Sequence, residues 1–327
     1  MWGEVSPHPR RWCDTESMIS ITPDPDLVAA LAENLHLRET PHLVAPGIDR
    51  LTIAVSVCRA ITTDVPVVLH QTSGTTVLAT REHVVRVARS MRSRLDVTQI
   101  TDAAVALRTS NMATTEPLAR LVVSDSESDV TGANTWEVSV WRKYRNDAAP
   151  SWRRLGEVLQ ALHAVDPLTL GVLPPFTDTL DRGLRRVEHY DRELPGLLRR
   201  WEQLSPSLYA SPARGLIHGD MTLSNILWGS DVILCDLEAL CTGPREWDLA
   251  KIYETIVGTH GPAAFAEVLL GYQNTVDYPL LEACIAANLV KASTWRLEEC
   301  DAGVMPTQRS ELVATLTASI RDPLEGS

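Results

Sequence analysis

Two rhythms of apolar residues occupy different parts of the chain. From about residue 50 to 142 they come in short runs rich in Val, Ile, Thr and Trp: "LTIAVSV", "VPVVLH", "TTVLA", "HVVRVA", "LARLVV" and "WEVSVW". Such runs predict strands, with one helix at "TDAAVALRTSNM". After "YRNDAAP" the spacing changes to three and four. "SWRRLGEVLQALHAVD" puts Leu155, Leu159, Leu162 and His163 on one helical face, and His163 is expected to be a packed, hydrogen-bonded core residue. "DTLDRGLRRVEHYDRELPGLLRRWEQL" predicts a long helix kinked near Pro195, and "EWDLAKIYETIVG", "AAFAEVLLGYQ" and "PLLEACIAANLVKASTWRLEE" predict three more. Upstream, "DPDLVAALAENLHL" reads as a helix capped by Asp24 or Asp26.

This division predicts an α+β fold of two lobes: a small β-rich N-terminal lobe over 50–145 and a larger α-helical C-terminal lobe over 146–327, joined at about 143–150. Residues 1–49 read as an N-terminal extension, partly disordered, with one helix. A cleft between such lobes is where a ligand is expected.

Composition narrows the partners. Thirty basic against 42 acidic side chains leave a net charge of −12, which argues against nucleic-acid and anionic-membrane partners and suits a cationic small molecule. The opening residues lack a signal-type apolar core, and the longest apolar stretch is too short to span a bilayer, so a cytoplasmic protein is expected. Six cysteines without a CxxC pair read as buried thiols.

One stretch inside the helical half returns to β-type sequence: "LIHGDMTLSNILW", then "DVILCDLEALCTGPREWDLA". Short strands at "LIH", "NILW" and "VILCD" would carry Asp220, Asn225 and Asp236 at strand ends or in the loop, where three oxygen-bearing side chains converge. Phosphoryl transfer from a nucleotide needs charge neutralisation and an aligned hydroxyl more than covalent help. Asp220 is placed to orient the acceptor hydroxyl and take its proton, and Asn225 and Asp236 to hold Mg2+.

These residues, "HGDMTLSN", "ILCDLE" and "GPREWDLA", with "LGEVLQALHAVD" and "VSVWRKY" upstream, resemble the aminoglycoside phosphotransferase family, which has a protein-kinase-like fold. The match is firmest over about 136–256 and looser over 65–135 and the C-terminal helices. The resemblance implies that His218 supports the catalytic loop, that Asp248 bonds the loop backbone, and that Trp141, Arg142 and Lys143 offer backbone groups to adenine. It also implies that Ser73, Gly74 and Thr75 lie over the phosphates. Arg86 stands in the place of the usual phosphate-binding lysine, with Val84 on the same strand face toward adenine. A solvated strand arginine is the other reading of Arg86. The helix that ordinarily supplies a Glu partner contains none, leaving Asp102 as the nearest acid. Glu238 is a contact to metal, water or a substrate amine, or a plain surface acid. Glu298, Glu299 and Asp301 form either a contact to a cationic substrate or a solvated face.

The expected activity is a Mg2+- and ATP- or GTP-dependent kinase acting on a hydroxyl of a small acceptor, such as an aminoglycoside or a related amino sugar or amino alcohol. Choline-, homoserine- and fructosamine-type kinases share the same loop. A protein kinase fits worse, because "HRD", "DFG" and "APE" segments are missing. A nucleotide-binding regulatory module is the alternative from another class.

Overall fold

The computed structural model of the chain describes residues 25–34, 42–45, 49–71, 75–89, 95–124, 135–171, 173–194, 196–211, 215–301 and 313. Their order begins α1 (Pro25–Asn34), β1 (His42–Val44), α2 (Arg50–Ile61), β2 (Val67–Gln71), β3 (Thr75–Ala79), β4 (His83–Arg89), α3 (Val97–Thr109), β5 (Pro117–Ser124) and β6 (Thr135–Arg142). It continues with α4 (Trp152–Ala164), α5 (Phe176–Tyr190), α6 (Leu197–Ala210), β7 (Gly215–Ile217), β8 (Ile226–Trp228), β9 (Val232–Leu234), β10 (Cys241–Gly243), α7 (Glu246–His260), α8 (Pro262–Tyr272) and α9 (Tyr278–Asp301). Single 3-10 turns lie at Pro167–Leu170, Leu223–Asn225 and Leu237–Ala239.

The described residues fall into two compact units. The first takes those up to 151, with 168–171 and 224–239. Its six-stranded sheet has the order β1-β5-β6-β4-β3-β2, antiparallel except where β1 runs parallel to β5. One face of β4 supplies Val85 and Val87 to a core shared with Ile53, Ala54, Val57 and Cys58 of α2 and Leu31 of α1.

The run "LTIAVSV", expected as a strand, lies in α2. Its Val and Ile content favours a strand locally. Asp49, however, caps a helix by accepting the N–H groups of Leu51 and Thr52 at 2.9 and 3.0 Å, and every position from Ile53 to Cys58 is buried, without the alternation of a half-covered strand. Burial against the sheet overrides the β propensity. The hairpin of β8 and β9 belongs to this unit because the loop after α3 stitches to it: Leu234 N–H donates to Ala113 O at 2.9 Å and Thr115 N–H to Leu234 O at 3.0 Å.

The second unit takes 152–167, 173–223 and the described residues from 240. Helices α4 and α8 pack closely enough that a Cβ on Gly156 would lie 2.0 Å from Val268 O and one on Gly271 1.9 Å from Arg153 O, so only glycine fits either position. The expected single kinked helix is two. α5 ends at Tyr190, Gly196 takes φ +93°, and Asp191 Oδ1 accepts Leu198 N–H at 2.9 Å to start α6; Pro195 itself lies outside the described residues. β7 pairs antiparallel with β10. Among the described residues no helix is long and apolar enough to cross a membrane.

Candidate active site

β7 leads into the loop that begins at His218. Its backbone is fixed by a side chain thirty residues on: Asp248 Oδ2 accepts His218 N–H at 2.8 Å and Oδ1 accepts Gly219 N–H at 2.9 Å. Gly219 has φ +79°, a left-handed turn that a side chain would strain. Asp248 sits in the first turn of α7, where the helix dipole favours a carboxylate. Its neighbour Trp247 donates Nε1–H to Gly219 O at 3.0 Å, closing the clamp.

Behind Asp248 lies a buried relay. His163 Nε2 is 3.0 Å from Asp248 Oδ2, and His163 Nδ1 is 2.7 Å from the Tyr272 hydroxyl. Burial pushes the Tyr272 phenol up to about 12, so it stays protonated and donates to Nδ1. The Asp248 carboxylate can only accept, so His163 Nε2–H donates to it. His163 is thus the hydrogen-bonded core residue its helix position implies, and also a support of the loop. Tyr272 and Trp247 were not evident in the sequence, since each meets the loop or its supports across a large chain separation. Asp220 follows the clamp on a tight turn, Thr222 N–H donating to Asp220 O at 2.9 Å, and is partly exposed.

Asn225 and Asp236 fall in the sheet unit, together with Arg86 and Glu238. The hairpin pairs Ile226 with Leu234, and Cys235 N–H donates to Asn225 O at 3.0 Å. That bond sets Asn225 opposite Cys235 at the open end of the hairpin, with Asp236 the next residue along; Asn225 is buried. Asp236 is exposed and has φ +60°, a conformation rare outside glycine that commonly marks functional positions. An amide oxygen and a carboxylate are hard donors, and Mg2+, which keeps waters and phosphate oxygens, needs few ligands from protein. The pair therefore fits that ion. No group of three or more His, Cys, Asp or Glu suited to a metal occurs among the described residues.

On β4, the face opposite the core carries Val84 and Arg86, as alternation predicts. Trp141 of β6 lies directly opposite Val84, so both contribute to one partly buried apolar surface. Arg86 forms an ion pair with Glu238. Asp102 does not partner Arg86. It pairs with Arg120, whose guanidinium also donates to Thr98 O at 3.0 Å and Thr101 Oγ1 at 2.6 Å. The acid for Arg86 comes instead from the turn after Asp236, a long-range pairing that no local pattern announces. Of the stretch Trp141 to Lys143, Arg142 N–H donates to Glu116 O at 2.9 Å and Lys143 N–H to Glu82 O at 2.7 Å, so these two donors are engaged within the protein. Thr75 begins β3; Ser73 and Gly74 lie outside the described residues.

At the far end of α9, Glu298 pairs with Arg186 at 2.9 Å and Asp301 accepts the Tyr190 hydroxyl at 2.9 Å, so both acids are engaged within the protein. The side chain of Glu299 lies outside the described residues. Two turns back, Lys291 Nζ stands 4.7 Å from the centroid of the Trp247 ring. Burial, then Lys251, push its ammonium down to about 7.

A family model described as the phosphotransferase enzyme family matches residues 64–284. Among solved structures, amicoumacin kinase in complex with AMP-PNP, Ca2+ and Ami matches at 12% identity and TM-score 0.65, covering 91% of this chain and 93% of that one. An aminoglycoside phosphotransferase from Streptomyces rimosus matches at 18% identity and TM-score 0.57, covering 75% of this chain and 99% of that one. Spectinomycin phosphotransferase in complex with ADP and its antibiotic matches at 13% identity and TM-score 0.57, covering 85% of this chain and 96% of that one. No curated protein matches the sequence. At these identities the structural likeness establishes the fold, a protein-kinase-like α+β arrangement.

Proposed function

The chain belongs to the phosphotransferase enzyme family, and from that premise we propose that it is a small-molecule kinase, dependent on Mg2+ and on ATP or GTP, that phosphorylates a hydroxyl group. The observation that supports this reading is the hairpin bond from Cys235 N–H to Asn225 O, which brings the backbones of Asn225 and Cys235, the residue before Asp236, together at one end of the hairpin, five to sixteen residues after Asp220 in sequence.

In this reading Asp220 accepts a hydrogen bond from the acceptor hydroxyl and takes its proton as the oxygen attacks the γ-phosphorus. The new O–P bond forms while the bond from the γ-phosphorus to the β–γ bridging oxygen breaks, and a nucleoside diphosphate leaves. Asn225 and Asp236 would hold the metal, which neutralises phosphate charge when bound. Arg86, oriented by Glu238, would meet the phosphates with a fork of donors where a lysine would give a point charge. Thr75, with Ser73 and Gly74, would cover them, and Val84 and Trp141 would receive the base. The carboxylate of Asp248, by holding two successive N–H groups, fixes where Asp220 stands.

Net charge alone, at −12, would draw a cation such as an amino sugar or amino alcohol, but α5 carries a basic face at Arg182, Arg185 and Arg186 that opposes it locally.

Asp220→Asn should retain the thermal stabilisation given by Mg·ATP while lowering turnover by about 10²–10⁴-fold. An Asp220→Asn protein that transfers phosphate at the parent rate would remove the assigned role.

A further inference from the structure

α5 carries Arg182, Arg185, Arg186 and His189 at successive spacings of three, one and three, so all four share one helical face. With Tyr190 and, from α9, Glu298, they line an open cavity of about 400 Å3. Its lining therefore holds three guanidiniums against one carboxylate. Arg182 lies one turn from both Arg185 and Arg186, a spacing at which like charges repel, with Asp178 and Asp181 four residues before Arg182 and Arg185 as partial relief. Glu298 answers Arg186, and Arg182 donates Nη2–H to Thr179 Oγ1 at 3.0 Å. Arg185 remains exposed.

α9 carries both the acid of the cavity and a lysine that stands next to the support of the loop acid. Glu298 lies seven residues from Lys291 on α9, which is two turns on the same face and about 10 Å along the axis. Lys291 stands over Trp247, and Trp247 donates to Gly219 O, next to Asp220. The depressed ammonium of Lys291 registers the same surroundings. After burial and Lys251, Asp220 acts in the opposite sense, and Arg186 and Arg182 push it further down. An anion among these groups would relieve the repulsion, and guanidinium forks match a carboxylate or phosphate in geometry.

We propose that the cavity between α5 and α9 is the acceptor site and that the acceptor is anionic: a small alcohol bearing a carboxylate or phosphate, held by Arg182, Arg185 and Arg186 with its hydroxyl toward Asp220. The anion site stands on the cavity alone; its role in phosphoryl transfer rests on the kinase reading of Asp220.

The test titrates the full chain with inorganic phosphate, glycerate, glycerol 3-phosphate, glycerol and glucosamine. Melting temperature and calorimetry report binding, and mass spectrometry after incubation with Mg·ATP reports transfer. The three anions are expected to bind, glycerol and glucosamine not to, and the two anionic alcohols to gain one phosphate. Arg185→Glu, on an exposed position that should not disturb folding, and the milder Arg182→Gln are each expected to weaken anion binding by about tenfold to a hundredfold. Glycerate against glycerol 3-phosphate separates carboxylate from phosphate recognition. Anion affinity unchanged in both variants, or transfer to glucosamine in preference to the anions, would overturn the proposal. Arginine-dependent anion binding with neither stabilisation by Mg·ATP nor any transfer would uphold the anion site and sink the kinase reading instead.

Discussion

The loop before Asp220 and the hairpin bearing Asn225 and Asp236 are held in opposite ways. His218 and Gly219 are fixed by a fully buried carboxylate, itself braced by His163 and Tyr272, so every partner in that relay is shielded from water. Asp236 is exposed, sits in a left-handed conformation, and is positioned by one hairpin bond at its neighbour Cys235. The difference teaches a division of labour. In the proposed roles, the backbone leading to the proton acceptor is set by a buried network, whereas the carboxylate proposed to take up and release a hydrated ion stays at the surface on a strained turn.

Removing Asp248 should break this contrast most severely. Asp248→Ala leaves two buried N–H groups and His163 without their acceptor, and should cost about 3–5 kcal/mol in urea unfolding, with loss of activity as the loop loosens. An Asp248→Ala protein as stable as the parent would show that the clamp does not hold the fold. Asp236→Gly should do the reverse. Relief of the left-handed strain raises stability by about 1 kcal/mol, while turnover falls at least about a hundredfold for want of the carboxylate. Asp236→Asn, which tolerates the same backbone, should keep parent stability within about 0.5 kcal/mol and still lose activity. A stable Asp236→Asn protein with full turnover at limiting Mg2+ would contradict the metal assignment.

A smaller effect sharpens the comparison through pH. Lys291 titrates near 7 in the folded chain against 10.5 as its ordinary value, so between those pH values the unfolded chain binds the extra proton. Stability from this residue therefore rises as pH increases from about 7 toward 10.5, and its penalty is fully present below 7. Lys291→Met should raise the melting temperature at pH 6 and leave it nearly unchanged at pH 10. An equal gain at both values would show that charge is not the cause.

Much of this was legible in the sequence for identifiable reasons. β3, β4, α3 and α4 follow from apolar periodicity because burial favours one face of each, and β5 and β6 from near-continuous apolar runs that are buried on both faces. Asp220, Asn225 and Asp236 stood out because three turn-forming oxygen residues at strand ends exceed what the turns require. The backbone role of Asp248 entered only through family resemblance, and the geometry then supplied its hydrogen bonds. Segment 50–61 was misread because Ile53, Val55 and Val57 alternate like a strand, and only the cap at Asp49 and burial of Ala54 and Cys58 decide for a helix. β1, three residues long, has too few positions to show any period. Arg86 with Glu238 and Lys291 with Trp247 join distant parts of the chain, and such pairings are written in topology rather than in local pattern.

Trp247 has a consequence of its own. Its indole touches the backbone carbonyl just before the loop acid with one edge and a cationic amine with its face. A chromophore so placed is an optical and magnetic spy on the reaction centre. Fluorine introduced on the indoles, with Trp247→Phe to identify the resonance among the nine tryptophans, would let the arrival of each ligand be watched as a chemical-shift change, without any label attached from outside.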